Sequence, residues 1–195
     1  MSTKVNIKCI ALKLFAEKGY EGTSIESIAS QVGIKKASVY SHIKSKEELY
    51  ISILKDVLRW DRNYFSELLE SNMDIDEKEK LYLIFKHYSK IYQEEPNRTK
   101  MMFLNRAMLF PPDFIKEELK QIFNDYEALY SPILIEIIKS GIASKLIKDI
   151  QLDDILAFFY CTVDGLFVES YYYSIEEYSK RINSIWLLFW LAIKL

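Results

Sequence analysis

The chain has 195 residues and a mass of 23.1 kDa; half of its residues are apolar, 28 are aromatic, and its net charge is −2. That apolar content builds a real core and excludes disorder, which needs low hydrophobicity and high net charge. Only five Gly and four Pro occur, which argues against an all-β fold and against long loops. The charge is unevenly placed. Residues 1–50 carry eight Lys, no Arg and five acidic residues, hence +3, while the remainder carries 18 basic and 23 acidic residues, hence −5. A small basic head on a larger acidic body can face a polyanion at one end only.

Cys9 and Cys161 have no second cysteine near either, so neither a disulfide framework nor a zinc knuckle is expected, and a reducing compartment suits the pair. Lys4, Lys8, Lys13 and Lys18 interrupt the first 20 residues, leaving no apolar core for a signal peptide. The longest apolar run, Ile185 to Ile193, is nine residues against the roughly 20 of a membrane span. A soluble, cytoplasmic protein is expected.

The apolar spacing predicts helices nearly throughout. Ile7, Ile10, Ala11, Leu14 and Phe15 mark the first, stopped by Gly19. Thr23 to Glu26 reads as a capping box for a second, with Ile25, Ile28, Ala29 and Val32 inward and Gly33 at its end. A third spans about 35–43, and Ser45 caps a long fourth towards Glu70. Five more follow: about 76–95 ending before Pro96, 97–110 stopped by Pro111 and Pro112, 113–140 kinked at Pro132 and closed by Gly141, 153–173, and 175–195. Residues 142–150 read as a loop. The fold expected is all-α, about nine helices, with a three-helix head at 1–48 on a helical body at 49–195.

Helices two and three, separated by Gly33, have the layout of a helix-turn-helix. Lys36, Ala37, Ser38, Tyr40, Ser41 and His42 are left on the outer face of the second: small or hydrogen-bonding side chains among bases, suited to a major groove about 12 Å wide. The plain alternative is a solvated face on a structural head, with Tyr40 packed inside it.

Ala16-Glu17-Lys18-Gly19-Tyr20-Glu21-Gly22-Thr23-Ser24-Ile25-Glu26-Ser27-Ile28-Ala29, with Val32-Gly33-Ile34 and Val39-Tyr40-Ser41-His42-Ile43-Lys44-Ser45-Lys46-Glu47-Glu48-Leu49, resembles the N-terminal domain of TetR-family (tetracycline-repressor-like) regulators. The resemblance covers roughly residues 5–52. It implies an all-helical homodimer of about nine helices that represses transcription until a small molecule binds the C-terminal domain. It also implies that Ser38, Tyr40, His42 and Lys46 contact DNA, mostly phosphates, that Lys36 and Ala37 face base edges, and that Ser24 touches phosphate at a helix N-terminus. Three departures stand out: Lys35 replaces the usual capping Ser or Thr, Ala37 a common glycine, and Ile43 an aromatic residue. With no Arg before Arg59, only Lys36 is placed to read guanine.

In the body, residues 185–193 are apolar all round their helix, and residues 155–168 nearly so; such helices are buried on two sides. The resemblance implies that they pair with their copies in a four-helix dimer interface, for which Phe158, Thr162, Gly165, Leu166, Trp186 and Trp190 are the candidates; a wrapped hairpin in a monomer is the alternative. Candidate ligand-binding residues are Trp60, Tyr64, His87, Tyr88, Met101, Met102, Arg106, Tyr126 and Tyr130, where Met repacks easily and Tyr offers a polar handle. Ordinary core packing is the alternative for the Met and aromatic residues, a cap on a surface edge for His87, and a pair with a carboxylate for Arg106. Arg106, set among Met102, Leu109 and Phe110, favours an anionic or neutral apolar effector wedged against the fourth helix, although Asp61 and Asp164 keep a cationic one open. No nucleophile elbow, phosphate loop or zinc-protease motif occurs, so no enzyme, cofactor or metal is expected. The expected partners are pseudo-palindromic double-stranded DNA, a second copy of the chain and a small effector. Two other readings are a dimeric regulator without a ligand and an all-helical interaction or scaffold protein.

Overall fold

A computed structural model of the protein describes residues 2–70 and 74–195, the side chains of residues 65, 69, 70, 126, 127, 129 and 130 excepted. Helix α1 (Thr3–Lys18) starts where the Ser2 hydroxyl accepts the Val5 N–H and buries Ile7, Ala11, Leu14 and Phe15. Gly19, at φ 74°, ends it. Helix α2 (Ile25–Val32) is capped by Ser24, one residue later than the spacing predicts. Its box partner is Ser27 and not Glu26. The reason is that Thr23 is buried and its hydroxyl donates to the Gly19 carbonyl at 2.8 Å, closing the turn between the two helices.

Gly33, at φ 80°, ends α2 in the left-handed region, with its own N–H and that of Ile34 both on the Ala29 carbonyl. Helix α3 (Lys36–Val39) is one turn long, shorter than predicted, and Lys35 makes no side-chain cap. The chain then continues in turns held by the His42 and Ile43 N–H groups on the Val39 carbonyl. Helix α4 (Lys46–Glu70) opens on Ser45, whose hydroxyl accepts the Glu48 N–H, while Glu48 accepts the Lys44 N–H in return.

Helix α5 (Glu77–Ile91) stops four residues before the predicted end. Helix α6 (Asn97–Leu109), a 3-10 turn (Asp113–Ile115) and α7 (Lys116–Ala143), with Pro132 inside it, follow. Gly141 does not end α7: the left-handed residue there is Lys145. Gly141 instead makes room, because a Cβ on it would lie 2.5 Å from Ile147 Cδ1. The last pair is α8 (Leu152–Tyr172) and α9 (Ile175–Ile193), the latter opened by a Ser174–Glu177 capping box. The fold is all-α. Among the described residues there are nine α-helices, one 3-10 turn and no strand; the predicted loop at 142–150 holds only an isolated antiparallel bridge between Ile147 and Lys194.

These elements form two compact units. One comprises residues 1–62 and 95–124, the other residues 63–94 and 125–195. In the first, Phe15, Tyr20, Tyr50, Phe103 and Phe114 make an aromatic cluster with ring centroids 4.8–6.4 Å apart, joining α1, α4, α6 and the 3-10 turn. Desolvation in that cluster pushes the Tyr50 hydroxyl pKa up to about 12. In the second, Phe85, Phe159 and Phe189 are buried, and the buried Tyr178 donates its hydroxyl to the Ser89 carbonyl at 3.0 Å.

Candidate nucleic-acid interface

Val39 and Ile43 are buried and anchor the short third helix from beneath. Everything expected on its outer side is on its outer side: Lys36, Ala37, Ser38, Tyr40, Ser41 and His42 are all exposed. Tyr40 is 50% exposed, which removes its core-packing alternative. The Lys36 ammonium lies 3.5 Å from Glu26 on α2, but both groups are open to water, so the pair adds little and exchanges readily for a phosphate. Lys35 and Lys44 stand exposed beside this face. Neither was a candidate in the sequence, although two bases flanking an outer helical face are a readable signal.

Ser24 is exposed at the start of α2, and its oxygen accepts the Ser27 N–H at 3.0 Å. A capping hydroxyl of this kind still has its proton to donate. Lys46 occupies a different setting from the one expected of a phosphate ligand. Its ammonium donates to the Tyr20 and Thr23 carbonyls, both at 3.1 Å, and sits 3.8 Å above the Tyr20 ring. It therefore holds the turn between α1 and α2. Tyr20 completes that clamp by donating its hydroxyl to Glu47 at 2.7 Å. Burial foremost, then this bond to an anion, drives the Tyr20 pKa far above its usual value, and the same bond holds the Glu47 carboxyl below the usual carboxylate range.

Arg106, expected in a ligand pocket, is a second clamp. Its guanidinium donates to the Ala16 and Glu17 carbonyls, where a cation suits the negative end of α1. It also lies so close over Gly19 that a Cβ there would be 2.9 Å from Nε. Met101 and Phe103 are buried in the same unit, as core residues.

Residues 10–53 match the family model described as bacterial regulatory proteins, tetR family. Over 64 residues the chain is 44% identical to the biofilm operon icaADBC HTH-type negative transcriptional regulator IcaR of Staphylococcus epidermidis, a match covering 33% of this chain and 32% of that protein. The head, residues 10–53, is similar to the DNA-binding domain of the TetR family. The match to IcaR spans about a third of that protein's length. Beyond this head the likeness is one of fold. A TetR transcriptional regulator from Chloroflexus aurantiacus superposes with TM-score 0.74 at 18% identity over 99% of this chain and 96% of that one. AibR, solved in complex with isovaleryl coenzyme A and operator DNA, superposes with TM-score 0.67 at 20% identity over 85% of this chain and 86% of that one.

The remaining candidates divide between the two units of the chain. Trp60, Met101, Met102 and Arg106 belong to the first, and Tyr64, His87 and Tyr88 to the second. His87 is buried, stacked 4.3 Å from the Tyr64 ring and tilted against Tyr88. Tyr126 and Tyr130 lie outside the described side chains. Of the dimer candidates, Phe158 is 43% exposed, Thr162 and Gly165 are part-exposed, and Gly165 has open space where a Cβ would be. Leu166 is 0% exposed and Trp190 nearly as buried, so both belong to the chain's own core; Trp186 packs on Phe85, Phe189 and Tyr82. The outward rows carry Val168 and Tyr172 on α8, and Leu187, Leu188 and Leu191 on α9. The wheel of an all-apolar helix has no preferred side, which is why the sequence could not separate the two rows. No helix among the described residues is long and apolar enough to cross a membrane.

Proposed function

We propose that the protein is a homodimeric DNA-binding transcriptional regulator, a repressor whose hold on DNA is set by a small effector, and that it has no enzymatic activity. The observation that carries this reading is the outer face of α3 and of the turns after it, where six side chains able to meet a groove are exposed on two buried anchors. The identity of the head to a negative transcriptional regulator supports the sign of the regulation. The structure of AibR with both a small ligand and operator DNA supports an effector. In this reading the functional boundary lies at 48/49, with Lys36 and Ala37 at base edges and Ser24, Ser38, Tyr40, Ser41 and His42 on phosphates. Lys46 acts on DNA through the α1–α2 turn that it clamps.

A second copy of the chain covers the row of Phe158, Gly165, Val168, Leu187, Leu188 and Leu191, since a contiguous apolar row in water marks an interface. Two recognition helices related by the dimer axis then read half-sites centred about 34–36 Å apart, or a small multiple of that. A gel-shift series at low salt with fragments of the protein's own upstream region tests the reading. A shift competed by one fragment and not by random DNA is expected, and absence of any shift overturns it.

A further inference from the structure

A cleft of about 360 Å³ opens in the first packing unit between the N-terminal half of α1, the middle of α4 and the start of α6. Its size falls at the low end of the ~300–1,000 Å³ typical of small-molecule sites. Leu12, Ile53, Val57 and Trp60 wall it with hydrocarbon and an indole ring. Its charged side chains are three ammonium groups and one carboxylate, Lys4, Lys8 and Lys100 against Asp56, with Ser2 and Cys9 beside them. Asp56 is held by Lys8 at 2.5 Å. The Lys100 ammonium, which donates to Asn97 Oδ1 at 3.4 Å, also feels the buried Asp61 carboxylate. Three ammonium groups against two carboxylates still leave the mouth net positive. Lys100 is only partly exposed and stands 3.6 Å over the Trp60 ring, which places a partly desolvated cation at the apolar wall.

We propose that this cleft binds a small amphipathic anion, an aliphatic or aromatic carboxylate, with its apolar body against Leu12, Ile53 and Val57 and its carboxylate at Lys100 and Lys4. Three facts argue for an anion. Like charge disfavours a cation beside two ammonium groups, a partly desolvated ammonium strengthens a charge-assisted hydrogen bond, and the apolar walls need a hydrocarbon body to displace their water. The site shares Trp60 with the ligand-binding candidates of the sequence, includes none of Tyr64, His87, Tyr88, Met101, Met102 or Arg106, and touches none of the exposed residues of α3. A bound carboxylate bridges three helices of one unit, including the helix that carries Lys46.

Cys9 lines the cleft and is exposed, which gives a direct readout that uses no DNA. In the full-length Cys161→Ser protein, Cys9 is the sole thiol, and its alkylation by iodoacetamide is followed by mass spectrometry. Saturating octanoate is expected to slow that alkylation at least tenfold, whereas octanol and octylammonium at the same concentration change it less than twofold. Lys100→Met, which keeps the stem and removes the charge, raises the octanoate concentration for half-protection at least tenfold. Val5→Trp fills the mouth from an exposed position and abolishes protection, so it carries the test if Lys100→Met does not fold. No protection by octanoate, equal protection by octylammonium, or protection unchanged in the folded variants overturns the proposal. Protection of Cys9 in a protein that shifts no DNA leaves this site standing and removes only the regulatory reading.

Discussion

Residues that look alike in the head do unlike work. Lys36 and Lys46 are both lysines beside a helix-turn-helix, yet Lys36 points outward and Lys46 is bonded to two carbonyls. Lys36→Ala is therefore expected to relax preference at one or two base pairs by ~1–3 kcal/mol while leaving stability within ~0.5 kcal/mol. Lys46→Ala is expected to weaken operator and random DNA alike, and also to lower stability by about 1 kcal/mol, through loss of the carbonyl contacts that fix the α1–α2 turn. Gel shifts on single-base operator variants, together with urea melts, separate the two. A Lys46→Ala protein of unchanged stability would return Lys46 to a simple phosphate contact.

The Tyr20–Glu47 bond has a pH signature. The folded-state pKa of Glu47 is depressed, so its contribution is present above the unfolded carboxylate value of about 4.3 and is lost as pH falls through the folded value. Glu77, held down by the Ser140 hydroxyl first of all, adds to the same trend in the other unit. Tyr20→Phe should therefore flatten the fall in stability below about pH 4.5, read as a smaller drop in urea midpoint between pH 7 and pH 3 than the unaltered protein shows. An equal drop in both would mean that the bond does not form in solution.

Among the elements, α2 and α3 hold their angle through Gly33. Its φ of 80° is left-handed and no atom lies within 4 Å of where a Cβ would be, so Gly33→Ala meets backbone strain alone. It should cost about 1 kcal/mol, and Gly33→Asn less, since Asn tolerates that region. Denaturant melts of the three proteins check the order; an Ala variant as stable as Gly would mean that the turn adopts another conformation. Helix boundaries were legible where capping chemistry is local, as at Ser45 and Gly33. They were missed where a competing contact a few residues away took a residue: Thr23 closes a turn on the Gly19 carbonyl, and Gly141 clears room for Ile147, so neither ends nor starts a helix. The outer face of α3 and of the turns after it was legible because Val39 and Ile43, four residues apart, turn inward and leave the residues around them outward.

At the scale of the whole molecule, the open apolar row on α8 and α9 asks for a partner. Leu188 is 64% exposed, so Leu188→Glu is accommodated by the single chain and should turn a dimer into a monomer by light scattering. Operator affinity should then fall by more than tenfold, because two half-sites are no longer joined. A dimer that survives this change together with Phe158→Glu would place the interface elsewhere.

Residue order alone carries the all-α class, the turn glycine, the basic outer face of the head and two helices apolar nearly all round. These follow from short-range rules: the 3.6-residue period, local caps, and charges counted over a segment. Only the tertiary structure decided which lysine faces outward, that Arg106 clamps the end of α1, that Leu166 and Trp190 belong to the core, and that a charged cleft opens beside Trp60. Each of those depends on which distant carbonyl, ring or helix comes within a few ångströms of a side chain, and spacing along the chain carries no such distance.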